Sequence, residues 1–188
     1  SSAYQRYQAK ELDLTWIPVE QIPHIQKNTP SALLVVPRLT TEFYTFNVAK
    51  PPFDNEKVRK ALYLTLDRPL IAEHIIGLRK PAATLTPPDV DGFTAPNIAE
   101  LNQPLTDRVK QAKKLLNDAG YNEKHPLQFE IFYNKYATHE KVALALASEW
   151  KKQLGADVKL RTMEWKTYLG ERNMGNFQLS RMSIDAEY

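Results

Sequence analysis

Apolar positions recur with a helical period in the second half of the chain. The i+4 stripe predicts the longest helix, which opens at Thr138 and ends at Gly155 in the C′ position. Strict alternation in LQFEIFY, residues 127–133, instead predicts a strand. The apolar residues of the helical stripe are Val142, Leu146, Trp150 and Leu154.

The stretch that begins at PPFDNEKVRKAL carries a second strong helical signal. Asp54 is a suitable N-cap, and Phe53 and Val58 occupy the two positions of a hydrophobic staple. The sequence then breaks at residues 66–69, and a new helix is expected to begin with Pro69 in its first turn.

A third helix is expected to begin at Thr106 as its cap and to end at Gly120. Residues 80–105 precede it and contain five prolines and few periodic apolar positions, so they are predicted to form a long irregular loop.

Several shorter segments complete a prediction of about five to seven strands and about six helices. Interleaved strands and helices favour an α/β fold with a mixed sheet flanked by helices, and no internal repeat divides the chain. The shorter strands are expected at residues 12–16, 32–39, 42–49, 158–162 and 177–182, and the shorter helices at residues 4–11, 19–27 and 164–173.

Composition removes several classes of function. The 188 residues include 43% apolar side chains, and 25 basic against 22 acidic residues give a net charge of +3. The basic pairs lie on polar helical faces, so we expect no nucleic-acid partner. The absence of cysteine excludes a thiol nucleophile, a disulfide framework and cysteine-based metal sites.

Enzyme motifs are also missing. His139-Glu140 starts like a zinc-protease helix, but Ala143 stands where the second histidine is required. Gly170 and Gly175 have the separation of a phosphate-binding loop without its Lys-Ser/Thr ending. We therefore expect no catalytic residue, no metal and no cofactor.

Charged groups near the carboxyl end suggest binding instead. Arg172 and Arg181 offer guanidinium forks that match a carboxylate, while Asp185 and Glu187 could receive an ammonium group. A plainer interpretation makes both arginines surface ion-pairing residues and places Trp150 in the core.

Four segments, in order and spacing, resemble the family 5 extracytoplasmic solute-binding proteins, the peptide-binding components of ABC importers. These segments are FDNEKVRKALYLTLDRPLIAEHI, AKKLLNDAGY, LASEWKKQLG and EWKTYL. The resemblance covers residues 1–188 and implies a single ligand-binding lobe, the carboxy-proximal lobe of a larger two-lobe protein of class II type. It implies no catalysis, a monomer, and a periplasmic or extracytoplasmic location, with a lipid anchor as an option in the full-length protein. The implied partners are a short peptide, the membrane permease subunits and the amino-terminal lobe.

The resemblance also implies roles for individual residues. Arg181, Arg172 and His139 match positions that contact the peptide carboxylate directly or through water. Glu187 stands where the family commonly has the aspartate that pairs with the peptide amine, and Asp185 lies two residues earlier.

Three further positions match the walls of the family's ligand site. Trp165 matches a pocket tryptophan, and Ile184 replaces a second one, which leaves more room. His74 stands where a lysine selects peptide length, so the positive charge there is weaker near neutral pH.

Other functions remain open on the same fold. The ligand could be a dipeptide, a murein peptide, glutathione, heme or a nickel complex. The lobe could also act mainly as a docking surface for the importer.

Overall fold

The computed structural model describes residues 2–36, 38–87 and 90–185. Contacts divide the chain into two compact units, residues 1–37 and residues 38–188. This division does not test whether the whole chain acts as one ligand-binding lobe, so that stays a prediction. Within the described ranges, no helix combines the length and apolar character that crossing a membrane needs.

The first unit is built from short helices. Helix α1 spans Ser2–Gln8 and α2 spans Ile22–Asn28, and 3-10 turns occupy Val19–Gln21 and Pro30–Ala32. These elements confirm the predicted helices near residues 4–11 and 19–27.

The two strands predicted in this part of the chain are wrong. Residues 12–16, and the described residues of 32–39, pair with no strand; Pro37 lies outside the described residues. Several of their large apolar side chains, including Trp16 and Leu34, are exposed. Strand propensity reports a fit to a half-buried pleated surface, and no neighbouring strand within the described residues provides that surface.

A four-stranded sheet forms the centre of the second unit. Its spatial order is β1-β4-β2-β3, so the described residues form four strands rather than the predicted five to seven. Strand β1 is antiparallel to β4, and β2 is parallel to both β4 and β3, which confirms the mixed sheet. The strands are β1 Thr40–Phe46, β2 Gln128–Asn134, β3 Asp157–Met163 and β4 Leu179–Asp185.

Helices cover both faces of this sheet. Residues of α3, α4 and α5 share a buried core with Phe129, Ile131 and Leu179 on one face. Tyr168 of α6 packs on Phe132 of the opposite face, with ring centroids 4.6 Å apart. The helices are α3 Glu56–Leu64, α4 Leu105–Asp118, α5 Ala137–Leu154 and α6 Trp165–Asn173.

Two predicted helix caps are shifted. Asn55, not Asp54, caps α3, because its side chain accepts a hydrogen bond from the Lys57 amide at 2.9 Å. The Asp54 amide still belongs to the preceding turn and donates to the Lys50 carbonyl. Thr106 lies inside α4, since the Pro104 carbonyl already accepts the first helical hydrogen bonds.

Other local predictions are confirmed. Gly155 ends α5 with φ +70°, a left-handed conformation that glycine adopts at low cost. The helix after Pro69 is a π-helix, Leu70–Ile76. Of residues 80–87 and 90–104, only the 3-10 turn Ala99–Asn102 is regular.

Trp150 joins α5 to α3 and belongs to the core, as the plainer interpretation expected. The side chain is 2% exposed, and its Nε1 donates to the Leu62 carbonyl at 3.3 Å. Its ring meets Phe129 edge-on at 5.5 Å.

Replacing this indole is expected to destabilise the fold. Trp150→Phe removes the hydrogen bond and leaves unfilled volume, so the free energy of unfolding should fall by about 1–3 kcal/mol. Urea-induced unfolding followed by circular dichroism measures the change. Trp165→Phe is the matched control because Trp165 is 54% exposed, and it should cost less than about 0.5 kcal/mol. Equal losses for the two variants would contradict the assignment of Trp150 to the core.

Candidate functional site

The carboxyl ends of three parallel strands meet at one edge of the sheet. Strands β2, β3 and β4 all end there, and the antiparallel β1 begins there. Helices α5 and α6 begin within three residues of the ends of β2 and β3, so His139 and Trp165 belong to the first turns next to this edge. Ligands of open α/β sheets bind outside the carboxyl ends of the strands. We call this region the carboxyl edge.

An ion pair between β4 and β1 lies on the face of the sheet that carries α5. Tyr44 stands opposite Arg181 in the register and Glu42 stands opposite Ser183, so these side chains share one face. Arg181 Nη2 lies 3.3 Å from Glu42 Oε2, and the two side chains are only 11% and 21% exposed. Arg181 therefore forms an ion pair that is mostly buried, unlike the surface pair of the plainer interpretation.

This ion pair does not satisfy all of its polar atoms. Arg181 Nε, Glu42 Oε1 and the Tyr44 hydroxyl are buried and have no hydrogen-bond partner among the described residues. A buried polar group without a partner costs about 1–3 kcal/mol. Three buried polar atoms therefore lack a hydrogen-bond partner among the described residues, at the edge where a ligand would bind.

His139 completes this cluster from the first turn of α5. Its Nδ1 lies 3.3 Å from the Asn134 carbonyl. Burial lowers the pKa of His139 below its usual value, the positive charge of Arg181 lowers it further, and the Glu42 carboxylate opposes both effects. The imidazole is thus neutral at pH 7, and the structure brings Arg181 and His139 into one electrostatic environment.

Tyr44 is neutral for a similar reason. Burial raises its pKa far above the usual value, and the Glu42 carboxylate adds to the rise. The cluster of Glu42, Tyr44, His139 and Arg181 therefore carries one positive and one negative charge at neutral pH. We call these four residues the edge cluster.

Arg172 belongs to α6, which packs on the other face of the sheet. Its guanidinium contacts Met182 Sδ, and its Nε is buried without a partner among the described residues. No acidic side chain within the described ranges forms a salt bridge with it. Among the described residues, Arg172 is therefore a partly buried cation without a salt-bridge partner.

Tyr168 connects the two arginines through β4. Its hydroxyl lies 2.8 Å from Ser180 Oγ and also donates to the Arg181 carbonyl. Burial raises the pKa of Tyr168, whereas Ser180 and the charges of both arginines lower it. Both guanidinium groups therefore lower the pKa of the same phenol, although Arg172 extends from α6 and Arg181 extends from β4.

Apolar and acidic side chains complete the carboxyl edge. Trp165 is 54% exposed and stacks on Tyr168, with ring centroids 5.9 Å apart and an interplanar angle of 21°. Ile184 is 50% exposed near the end of β4. Asp185 accepts from the Thr40 hydroxyl and lies 3.4 Å from Arg38 Nη2, so a cation already pairs with it.

The structure does not join His74 to the other predicted site residues that it describes. His74 is exposed in the π-helix, and no hydrogen bond joins it to the other described residues of the site. Glu187, the expected receptor for an amine, lies outside the described residues.

Glu42 and Tyr44 are the residues that sequence reasoning missed. Residues 42–49 alternate as a strand, with Tyr44 and Phe46 on one side, and Glu42 shares that side by the same period of two. A carboxylate on an otherwise apolar strand face is unusual and indicates a buried partner. That signal was available, but the partner Arg181 is 139 residues away in the chain.

The opposite edge of the sheet also contains a cavity. Its volume is about 440 Å³, and its lining includes Lys50, Gln128, Asp157 and Lys159. None of the residues predicted for ligand binding lines it. The described residues hold no group of three or more His, Asp and Glu side chains arranged for a metal ion.

Comparison with known proteins assigns the chain to a family. The family model described as "Bacterial extracellular solute-binding proteins, family 5 Middle" matches residues 1–188. This chain belongs to that family. The sequence resemblance is therefore confirmed.

Curated members of family 5 match the whole chain. The Escherichia coli protein named "Probable deoxycholate-binding periplasmic protein YgiS" is 59% identical over 187 residues. The Escherichia coli "Periplasmic murein peptide-binding protein MppA" is 41% identical over 191 residues. Both alignments cover 100% of this chain and 35% of the relative, so the chain spans about a third of the length of these relatives.

Solved structures confirm the fold expected for family 5. The Escherichia coli murein tripeptide binding protein MppA superposes with a TM-score of 0.92 at 40% identity, over 100% of this chain and 37% of that one. Haemophilus influenzae OppA in complex with RPPGFSPFR gives a TM-score of 0.88 at 37% identity, over 100% and 38%.

The charge balance of the edge cluster predicts how His139 titrates. We expect an imidazole pKa below 6.5, lower still in Glu42→Gln and higher in Arg181→Gln, because the carboxylate favours the protonated ring and the guanidinium opposes it. Since the folded-state pKa is depressed, stability present above pH 6.5 should decline as the pH falls through the folded-state pKa.

NMR titration of the histidine side-chain signals measures these shifts. Glu100→Gln is the control because it removes a carboxylate from the more exposed pair with Lys60, and it should leave the His139 titration unchanged. Shifts of the same sign in Glu42→Gln and Arg181→Gln would refute the proposed balance.

Proposed function

We propose that this chain is the ligand-binding part of a solute-binding protein that captures short peptides outside the cytoplasm and delivers them to an ABC importer. The observation that carries the proposal is the carboxyl edge, where exposed apolar side chains lie beside polar atoms and an arginine that have no partner among the described residues. The printed names of MppA and OppA, which are murein peptide-binding and oligopeptide-binding proteins, support it.

In this proposal an extended peptide lies along the carboxyl edge. Its backbone would form hydrogen bonds largely independent of sequence, and its charged ends would be held by side chains. We assign the peptide carboxylate to Arg172, because its charge is uncompensated among the described residues, with Arg181 and His139 next to the adjoining part of the ligand.

Trp165 and Ile184 offer apolar walls. Glu187, with Asp185 nearby, stays the predicted receptor for the amine.

The proposed context follows from the family. The partners would be the permease subunits of the importer and the amino-terminal lobe of the complete protein, with a monomer as the working form. The location would be periplasmic or extracytoplasmic, with or without a lipid anchor. The protein would have no catalytic activity, consistent with relatives that are named as binding proteins.

A second candidate ligand is an amphipathic steroid acid. The 59% identity with the relative named for deoxycholate binding favours it. The site chemistry is compatible, because such a ligand combines a carboxylate for an arginine with a rigid apolar body for the Trp165 and Ile184 surfaces.

The role assigned to Arg172 predicts selectivity for carboxylates. In the full natural protein that carries these residues, Arg172→Gln should weaken binding of tri-alanine by about 10–100-fold through loss of a charge-assisted hydrogen bond. Binding of the tri-alanine amide should change less than about threefold. Isothermal titration calorimetry measures both affinities.

Lys166→Gln provides a matched control for this prediction. Lys166 is exposed on the same helix, so the variant loses the same charge without touching the site. Its affinity for tri-alanine should equal that of the unmodified protein. Equal losses for tri-alanine and its amide in Arg172→Gln would show that Arg172 does not hold the carboxylate.

Competition between the two ligand classes tests the function itself. The full natural protein is titrated with a tripeptide mixture and with deoxycholate, each alone and in the presence of the other. Peptide binding that deoxycholate does not displace supports the peptide proposal. Deoxycholate binding without peptide binding would replace it with the steroid candidate.

A further inference from the structure

An arginine follows the π-helix in a turn with unusual backbone geometry. Gly77 and Leu78 have φ values of +75° and +53°, so two consecutive residues have positive φ. Glycine adopts such angles readily, but a leucine there is uncommon, and these conformations are concentrated at functional sites. Leu78 is 46% exposed, so burial of its side chain does not explain its conformation. The turn leads to Arg79, which is exposed.

Packing along α5 places this turn next to the first turn of that helix. Trp150, in the second half of α5, donates to the Leu62 carbonyl near the end of α3. The π-helix that follows α3 also packs against α5, and its last residue, Ile76, contacts the main core. His139 lies about 16 Å from Trp150 along α5, at 1.5 Å per residue. The chain therefore approaches α5 near Trp150 and reaches the His139 end at Arg79.

Arg79 adds a positive charge next to the edge cluster. Burial is the main cause of the lowered His139 pKa, followed by the positive charge of Arg181. The Glu42 carboxylate raises this pKa, and the Arg79 guanidinium lowers it. No salt bridge joins Arg79 to an acidic side chain within the described ranges. Because Glu42 already pairs with Arg181, the charge of Arg79 is left over on this side of the carboxyl edge.

The acidic side chains nearest in sequence do not pair with this arginine. Glu140 belongs to the first turn of α5, and its carboxylate raises the pKa of Tyr133, after the larger effect of burial. Glu73 is exposed in the π-helix. Neither forms a salt bridge with Arg79 in the part of the chain that the structure describes. Together with Arg172 on the other face, Arg79 gives the carboxyl edge two cations without acidic partners among the described residues.

We propose that Arg79 is a specificity-determining residue that selects ligands with two anionic groups. In the proposed function Arg172 holds one of these groups, and Arg79 attracts the second on the α5 side of the carboxyl edge. The inference rests on the proposed function in placing the ligand at this edge. It identifies the ligand class as peptides that carry an acidic side chain in addition to the terminal carboxylate.

Tyr136 provides an apolar surface for such a side chain. Its ring is 62% exposed, and its centroid lies 5.0 Å from that of His139 at an interplanar angle of 54°. The methylene groups of an acidic side chain can lie against this ring while the carboxylate faces Arg79. Since Arg79 is exposed, salt screens its attraction for an anion, and we expect a selectivity of about tenfold rather than a larger one.

Tripeptides with and without an acidic side chain test this selectivity. The full natural protein is titrated calorimetrically with three peptides in which glutamate replaces one alanine of tri-alanine, and with the three glutamine counterparts. We expect at least one glutamate peptide to bind about tenfold more tightly than its glutamine counterpart. Arg79→Gln should reduce this ratio to less than about threefold, because it removes the charge from an exposed position without disturbing the core.

Lys151→Gln is the matched control for the loss of charge. Lys151 is exposed in the last turn of α5, about 18 Å from His139 along the helix. The variant should keep the preference of the unmodified protein. If the unmodified protein prefers none of the glutamate peptides, or if the preference persists in Arg79→Gln, the proposal is wrong.

The position of Arg79 is tested without any ligand. NMR titration of the histidine side chains should give a higher His139 pKa in Arg79→Gln than in the unmodified protein, because a nearby positive charge is removed. Lys151→Gln should leave this pKa unchanged. An unchanged His139 pKa in Arg79→Gln would place the arginine away from the site and overturn the proposal.

Glutarate and its monoamide, glutaramate, separate this inference from the peptide function. The two probes have the same shape but carry two negative charges and one, and their binding is followed through the His139 imidazole signal. Glutarate should bind about tenfold more tightly, and Arg79→Gln should remove most of that advantage. If no tripeptide binds, the peptide function fails, whereas equal binding of glutarate and glutaramate to the unmodified protein refutes the role of Arg79.

Discussion

The position of β4 between β1 and β2 determines the rest of the second unit. Antiparallel pairing with β1 connects residues 179–185 to residues 40–46, and parallel pairing with β2 aligns the carboxyl ends of three strands. One face of β4 supplies Leu179 to the main core and Arg181 to the edge cluster, while the other supplies Ser180 to Tyr168. The core, the mixed sheet and the candidate site therefore share one strand, so a register error there would misplace all three.

Elements controlled by neighbours in sequence could be predicted from sequence. The i+4 stripe of α5 and its terminal Gly155 specify a helix that needs little from the rest of the chain, apart from the core against which it packs. The alternation of residues 127–133 predicts β2 in a similarly local way. Residues 12–16 and 32–39 carry the same kind of strand signal, yet strand formation also needs a hydrogen-bonded neighbour. Periodicity identifies a segment suited to a sheet, but it does not supply that neighbour.

The same contrast between local signals and long-range pairing applies to the candidate site. Arginine and histidine side chains near the carboxyl edge could be proposed from residue type and family resemblance, and the structure brings Arg181 and His139 into one cluster. The partner of Arg181 could not be named, because the pairing of β1 with β4 spans about three quarters of the chain. Because Glu42 pairs with it, Arg181 is half of an ion pair and not a free cation. Residue type thus indicated that charged side chains gather near the carboxyl edge. The long-range pairing of β1 with β4 determines that the charge of Arg181 is balanced by Glu42.

The register pairs Thr40 with Asp185, and the Arg38–Asp185 contact lies beside that pair. The first and last described residues of this unit therefore lie close together, because partners in an antiparallel pair lie only about 5 Å apart. A unit with adjacent ends can be inserted into a loop of another fold with little distortion of its host. The sheet with its edge cluster is consequently suited to evolve as a cassette, exchanging ligand preference while the surrounding architecture stays constant.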